Sequence, residues 1–243
     1  MSLPQKYERY VEPFCGSACL YFESPTSPAL LTDINCELII ALKEIKSNRH
    51  IREQLIDIPK TEDEYYRMRG LDPQKLDKNE RAIRFLYLNR YCFNGVYRTN
   101  KSGQFNVPRG NKTGDFPPQN VFDDSRKKLR YAKLKVADYK QTLQGLKEGD
   151  FAYIDPPYSK TTKFTGQYGV SSFNSSGLND LFAELNRLHD TGVKFLLSYR
   201  ACTATIRALS KKFEVEPLSV KRHVAGFKSK WSEAEEILVR NYV

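Results

Sequence analysis

The chain has 243 residues, 40% of them hydrophobic and 12% aromatic, enough for one buried core or a core with a smaller lobe. No apolar run approaches the roughly 18 residues of a membrane-spanning helix, and "MSLPQKYERY" lacks a signal-peptide core, so a soluble, cytoplasmic protein with no membrane partner is expected. Thirty-nine Lys and Arg against 29 Asp and Glu leave a formal charge of +10, and an excess of that size calls for a polyanionic partner.

In chain order, "YERYVEPF" reads as a short strand, followed by a small-residue turn at Gly16 and an apolar segment through Leu20 and Phe22. "PALLTDIN" is a second strand, and "CELIIALKEI" puts Leu38, Ile39, Leu42 and Ile45 at helical spacing. The middle differs: short helices in "DEYYRMRG" and "NERAIRFLYLNRYCF" precede a Gly-, Asn-, Pro- and Arg-rich loop from Asn94 to Asn120, the pattern of an insertion. Strand and helix then alternate again through "AKLKVADY", "FAYID", "LNDLFAELNRLHDTG" and "VKFLLSY", and "FEVEPLSV" and "EEILVRNY" close the chain. This alternation predicts an α/β fold, a doubly wound and mostly parallel sheet covered on both faces. The expected division is a catalytic domain over 1–46 and 135–243 with an inserted, mainly helical target-recognition domain over 47–134.

In such sheets ligands bind beyond the carboxyl ends of the strands. After the first strand, Gly16 with Ser17 and Ala18 lets backbone N–H groups approach a ligand, and Phe14 offers an aromatic face. After the second, Asp33 stands where nucleotide sites place a carboxylate for the ribose hydroxyls; an N-cap ahead of the helix from Cys36 is the alternative. Asp138 and Tyr139, after the third, suit an adenine ring or an ordinary turn.

"DPPY" is the sharpest signal. Proline fixes its own φ and pushes the preceding residue toward extended backbone. The Asp155 carboxylate and the Pro156 carbonyl are thereby held as two convergent acceptors, which suit an amino group bearing two N–H bonds. Tyr158 adds a flat surface on which a ring carrying that amine can stack. An exocyclic amine is a poor nucleophile because its lone pair is delocalised into the ring. Two acceptors on its N–H bonds favour a pyramidal nitrogen that can attack a methyl donor with a built-in leaving group, such as a sulfonium. Asp155, with an ordinary pKa near 3.9, then serves as acceptor and electrostatic stabiliser.

Several segments resemble the Dam group of DNA adenine N6-methyltransferases: "VEPFCGSACLYF" its cofactor motif, "TDIN" its ribose motif, "YIDPPY" its catalytic motif, "LNRYCFNGVYRTNKSGQFNVPRG" its DNA-reading hairpin and "EEILVRNY" its last strand. The resemblance spans almost the whole chain in order. It implies a Rossmann-like methyltransferase fold, S-adenosylmethionine as donor without metal, and double-stranded DNA containing GATC as substrate. It assigns Phe14, Gly16, Asp33, Asp138, Tyr139 and Asp155 to the cofactor pocket and Asp155, Pro156 and Tyr158 to the chemistry. Two departures stand out. The family's usual Trp- and Lys-containing opening turn, resembling "WxGGK", is not found ahead of the first motif, from which weakened donor binding is expected, and Ala18 replaces the second glycine of the first motif.

Enzymes acting on a base within a duplex flip it out, and something must prop the gap. In the hairpin, Phe93, Asn94, Val96, Tyr97 and Arg98 mix an intercalating aromatic, an amide and a guanidinium, with Lys101 and Pro108 also toward DNA. Arg98 is the expected guanine reader, since its fork matches the O6/N7 pair. "SRKKLRYAKLK" is either a phosphate contact or a solvated helix face. Five scattered cysteines and three histidines show no metal-ligand spacing. A monomer is expected, bacterial or phage-encoded, with a cognate restriction endonuclease as a separate partner. The same motifs also serve other exocyclic amines, in other bases or in RNA, or a catalytically silent DNA-binding relative.

Overall fold

A computed structural model describes residues 3–23, 28–100, 102–111, 113–157, 175–200, 203–222 and 232–242. Its centre is a seven-stranded sheet made of β1 (Arg9–Glu12), β2 (Ala29–Asp33), β3 (Ala132–Val136), β4 (Asp150–Ile154), β5 (Lys194–Arg200), β6 (Glu214–Arg222) and β7 (Ser232–Arg240), in the order β3-β2-β1-β4-β5-β7-β6. The first five strands are mutually parallel, and β7 runs antiparallel to both β5 and β6. The doubly wound, mostly parallel sheet expected from the alternation is therefore present. Strand order reverses between β1 and β4, with Val11 opposite Leu30 on one side and Ala152 on the other. The crevice beyond the carboxyl ends of these two strands is the topological switch point, where such folds bind ligands.

The helices are α1 (Cys19–Glu23), α2 (Cys36–Ser47), α3 (Ile51–Ile56), α4 (Glu62–Gly70), α5 (Lys78–Tyr91), α6 (Gln119–Leu129), α7 (Tyr139–Gln144), α8 (Ser175–Asp190) and α9 (Thr203–Leu209). Strand alternation sends Val11, Ala152, Ile154, Phe195 and Leu197 to one face, where α7 and α8 supply Leu143, Leu181, Leu185 and Leu188. Tyr10, Leu31, Phe151 and Leu196 face the other way, against Tyr21 of α1 and Ile39 and Leu42 of α2. Full burial of each such Leu, Ile or Phe contributes about 1.5–3 kcal/mol, so both faces anchor the sheet.

A third apolar cluster lies against the far side of α2. Ala41 meets Leu55 of α3, Tyr65 and Met68 of α4, and Phe85 and Leu88 of α5, with Phe105, Val107 and Phe116 from the segment beyond. Helix α5 is set by a complete capping box: the Asp77 side chain accepts the Glu80 N–H at 2.8 Å and Glu80 Oε2 accepts the Asp77 N–H at 2.9 Å. It ends at Cys92, and the chain then forms a two-armed hairpin. Phe93 N–H donates to Pro108 O at 2.9 Å, Asn106 N–H to Arg98 O at 3.1 Å and Asn100 N–H to Gln104 O at 2.8 Å. Side chains of the helices hold the return arm by its carbonyls. Tyr65 Oη donates to Val107 O at 3.0 Å, Arg69 Nη1 to the same carbonyl at 3.2 Å, and Arg90 Nε to Gly114 O at 3.0 Å.

Candidate active site

Backbone ties hold together the loops that leave β1, β2 and β3. The Cys15 N–H donates to Thr32 O at 2.9 Å, and the Ala137 N–H donates to Asp33 O at 3.1 Å. Gly16, at φ +45°, turns its N–H onto Asp33 Oδ2 at 3.1 Å. A Cβ built on Gly16 meets no atom within 4 Å, so the turn opens onto space through which a ligand can reach the backbone.

Asp33 is half-buried, and its other oxygen accepts the Asn35 N–H at 2.8 Å. Burial raises its pKa, while the N–H groups of Asn35, Gly16 and Ile34 pull it back. The helix cap considered for Asp33 belongs instead to Asn35, whose Oδ1 accepts the Glu37 and Leu38 N–H groups at 3.1 and 3.3 Å. Asp33 thus acts as a brace between two turns at the mouth of the crevice. Beside it Ile34 is 58% exposed, an apolar wall at the same strand end that the sequence reading passed over.

Asp138 caps α7, accepting the Lys140 N–H at 2.8 Å. Tyr139, the first residue of that helix, is buried; its ring stacks on Phe14 with centroids 4.9 Å apart and planes 25° from parallel. Phe14 and Tyr139 therefore come together, and with the Asp138 cap they form the floor on the β3 side of the crevice.

Asp155 and Pro156 follow β4 at the switch point, Asp155 exposed and Pro156 buried. Tyr158 lies outside the described residues, as does Lys101 of the hairpin. Facing Asp155 is a residue that sequence reasoning missed. Glu12, the last residue of β1, is 2% exposed; Oε1 accepts the Tyr10 hydroxyl and, at 3.1 Å, the Tyr21 N–H. Burial pushes the Glu12 carboxyl up to about 7, the two hydrogen bonds pull it down, and the Asp155 charge pushes it up again. Tyr153 of β4 has its pKa raised by burial first and then by the charges of Asp155 and Glu12. Glu12 and Asp155 thus stand at the carboxyl ends of the neighbouring strands β1 and β4, near enough to act on one another electrostatically. The signal available was an acid ending the strand straight after the apolar pair Tyr10–Val11 and directly before Pro13 and Phe14.

Of the hairpin residues, Phe93 is 45% exposed, and Asn94 and Pro108 are also exposed. Asn94 and Gly95 both sit at positive φ, +57° and +63°. Asparagine and glycine are the residues that tolerate this region, and the turn pushes the Phe93–Gly95 tip outward. Val96, Tyr97 and Arg98 are half-buried behind it. The Arg98 guanidinium is partly engaged: Nε donates to Asn106 Oδ1 at 2.8 Å and Nη2 to Asn106 O at 3.3 Å. In "SRKKLRYAKLK", Arg126 and Lys127 pair with Asp123 and Asp124 of their own helix, and Lys128 donates to Phe22 O. Among the described residues no group of three or more His, Cys, Asp or Glu is placed to hold a metal ion, and no helix is long and apolar enough to cross a membrane.

Over 258 residues the chain is 31% identical to "Type II methyltransferase M1.LlaDCHI" of Lactococcus lactis subsp. cremoris, covering 99% of this chain and 88% of that one. It is 30% identical over 236 residues to "Retron Ec67 DNA adenine methylase" of Escherichia coli, covering 95% and 81%. It is 29% identical over 259 residues to "Type II methyltransferase M.MjaIII" of Methanocaldococcus jannaschii, covering 97% and 89%. The family description "D12 class N6 adenine-specific DNA methyltransferase" matches residues 2–224, and the chain belongs to that family of enzymes.

Proposed function

We propose that the chain transfers a methyl group from S-adenosylmethionine to the N6 amine of a flipped-out adenine in duplex DNA, within GATC. The observation that carries this reading is the open Gly16 turn tied to Asp33 beside the switch point, where Asp155 and Pro156 leave β4. The fit to the donor is chemical. Asp33 accepts from ribose hydroxyls, Phe14, Ile34 and Tyr139 give apolar surface for adenine, and the acidic pair suits the donor's sulfonium and ammonium charges. When bound, S-adenosylmethionine supplies a methyl on a sulfonium that departs as a neutral thioether.

The chain's own groups act on the target amine. The Asp155 carboxylate and the Pro156 carbonyl accept its two N–H bonds, which localises the nitrogen lone pair for attack on the methyl carbon. As the N–C bond forms the amine becomes cationic, and it then gives up a proton readily to solvent water. Asp155 stabilises that developing charge. Tyr158 is assigned the stacking surface beneath the base. Segment 47–134, apart from the first residues of β3 that join the sheet, is assigned to target reading. Phe93, Asn94 and Pro108 form its rim, Val96 and Tyr97 support it, and Lys101 contacts phosphate. Arg98 reads guanine through the guanidinium N–H groups that Asn106 leaves available.

The GATC assignment rests on the hairpin sequence. The test is to incubate the purified chain with S-adenosylmethionine and an unmethylated plasmid of mixed sequence, then map modified adenines by sequencing. N6-methyladenine confined to GATC is expected. Modification at another motif overturns the specificity, and no modification under conditions where duplex binds overturns the activity.

A further inference from the structure

The two hairpin arms run antiparallel in a fixed register. Thr99 stands opposite Phe105, and the Asn106 N–H donates to Arg98 O at 3.1 Å, so Arg98 stands opposite Asn106. The turn beyond is locked by Asn100. Its Oδ1 accepts the Ser102 and Gln104 N–H groups at 3.0 Å each, and its backbone N–H donates to Gln104 O at 2.8 Å. Side chains alternate between the two faces of such a ribbon. Tyr97, Phe105 and Val107 share the inner face: Phe105 and Val107 are buried, and the Tyr97 ring packs on Phe85 of α5 and on Phe105, with centroids 5.5 and 5.7 Å away. Arg98 and Asn106 are therefore neighbours on the outer face, both half-buried.

Three hydrogen bonds join this one pair. Besides the backbone bond, Arg98 Nε donates to Asn106 Oδ1 at 2.8 Å and Nη2 donates to Asn106 O at 3.3 Å. A guanidinium is planar with its N–H groups in fixed directions, and Nη2 is the terminal nitrogen on the same side as the Nε–H. Asn106 thus takes that whole edge. The end formed by Nη1 and Nη2 is left for a ligand, and its two parallel N–H bonds fit the O6 and N7 acceptors of guanine. Rotamer freedom that an untethered arginine would lose on docking is already lost.

We infer that Asn106 is a positioning residue for guanine recognition, holding the Arg98 guanidinium so that its Nη1–Nη2 end meets the base. The inference rests on the reading of Arg98 as the guanine contact given above. Arg98 makes the contact, and Asn106 sets the direction of the fork. Removing the Asn106 amide frees Nε and leaves only the backbone carbonyl on Nη2, so the guanidinium plane can turn. A fork free to turn also bonds other acceptors in the groove, such as thymine O4. Discrimination at that base pair then falls, while binding to phosphates changes little.

The test measures initial methylation rates of the full chain on short duplexes carrying GATC and each of its single-base variants, with melting temperatures alongside. Duplex affinities over the same set give the readout for any variant too slow to assay. Arg98→Ala identifies the base pair concerned, relaxing discrimination there by roughly 5- to 150-fold, the worth of one bidentate pair. Asn106→Ala is expected to relax the same base pair alone, by roughly 2- to 10-fold, the worth of one hydrogen bond. Asn106→Asp keeps the accepting oxygen and should restore discrimination, at a lower rate on every duplex because of its added negative charge. The double variant Arg98→Ala/Asn106→Ala should discriminate no worse than Arg98→Ala. Unchanged discrimination in Asn106→Ala, relaxation at a different base pair, or further relaxation in the double variant overturns the inference. So does a lowered melting temperature with equal loss on all duplexes, the mark of a merely structural role. If Arg98→Ala itself slows every duplex alike, the guanine reading of Arg98 falls, and the role of Asn106 falls with it.

Discussion

Glu12 makes a sharp prediction about pH. Its pKa in the folded chain is pushed by burial to about 7, against an ordinary value of 4.5, so the folded state keeps a proton that the unfolded state releases earlier. The stabilising contribution is full below the unfolded value and is lost as pH rises through about 7, and two to three pKa units correspond to roughly 3 kcal/mol. Glu12→Gln keeps an acceptor for Tyr10 and Tyr21 and removes the titration. At pH 8 the variant should be more stable than wild type by on the order of 2–3 kcal/mol, and at pH 4 the two should match. Denaturant midpoints at both pH values check this, and parallel pH profiles would refute it. Ala18 carries a second prediction. It is an L-residue at φ +54°, in the position the resemblance reserves for glycine, and left-handed backbone costs such a residue about 1–2 kcal/mol. Ala18→Gly should therefore raise stability by about 1 kcal/mol, less what glycine gains in the unfolded chain. Thermal melting decides the sign.

At the scale of elements, the hairpin's shape depends on hydroxyl and guanidinium groups of α4 and α5 that hold its return arm. Tyr65→Phe removes one of the two donors to the Val107 carbonyl and leaves Arg69 Nη1 on it, so the expected cost is that of one ordinary hydrogen bond, about 0.5–1.5 kcal/mol. Hydrogen exchange should quicken at Phe93 and Asn106, whose N–H groups bind within the hairpin, more than in the central strands; uniform quickening would mean that Tyr65 supports only the global fold. Much of this architecture was legible in sequence. Apolar runs of strand length alternated with amphipathic stretches, and α8 announced itself through Leu181, Leu185 and Leu188 on one face. The DPP turn was legible because proline geometry is local. What stayed hidden depends on contacts distant in sequence. "TDIN" offers two capping side chains, and only the path of the backbone gives the cap to Asn35 and the brace to Asp33. Tyr139 reads as part of an adenine site or of an ordinary turn until α8 closes over it, its hydroxyl donating to Gly177 O at 3.3 Å. Glu12 went unremarked because the groups around it, such as the Tyr21 N–H, arrive from elsewhere in the chain.

At the scale of the whole molecule, the formal charge of +10 is a statement about affinity for a polyanion. The logarithm of duplex affinity should fall linearly with the logarithm of salt concentration, with a slope near −0.9 for each phosphate neutralised. Titrations at several salt concentrations read that slope directly, and a flat line would leave the charge excess without a role in DNA binding. Arg126 and Lys127 are already paired with acids of their own helix, so replacing either by Gln should leave the slope unchanged.

The length of chain between β1 and β4, which includes the hairpin segment, also sets when the sheet can close. β1 borders β4, and the ion pair that staples their starts joins residues 141 positions apart, Arg9 and Asp150. On the ribosome the middle of the sheet must wait for its partner strand until more than half the chain has been made, whereas α3, α4 and α5 meet one another within a few tens of residues. Closing so long a loop is entropically costly, and the cost falls if the intervening chain is already compact. Pulse-labelled hydrogen exchange during refolding should find amides of α4 and α5 protected before those of β1 and β4. The reverse order would mean that the central strands pair first and the helices between them assemble onto a finished sheet.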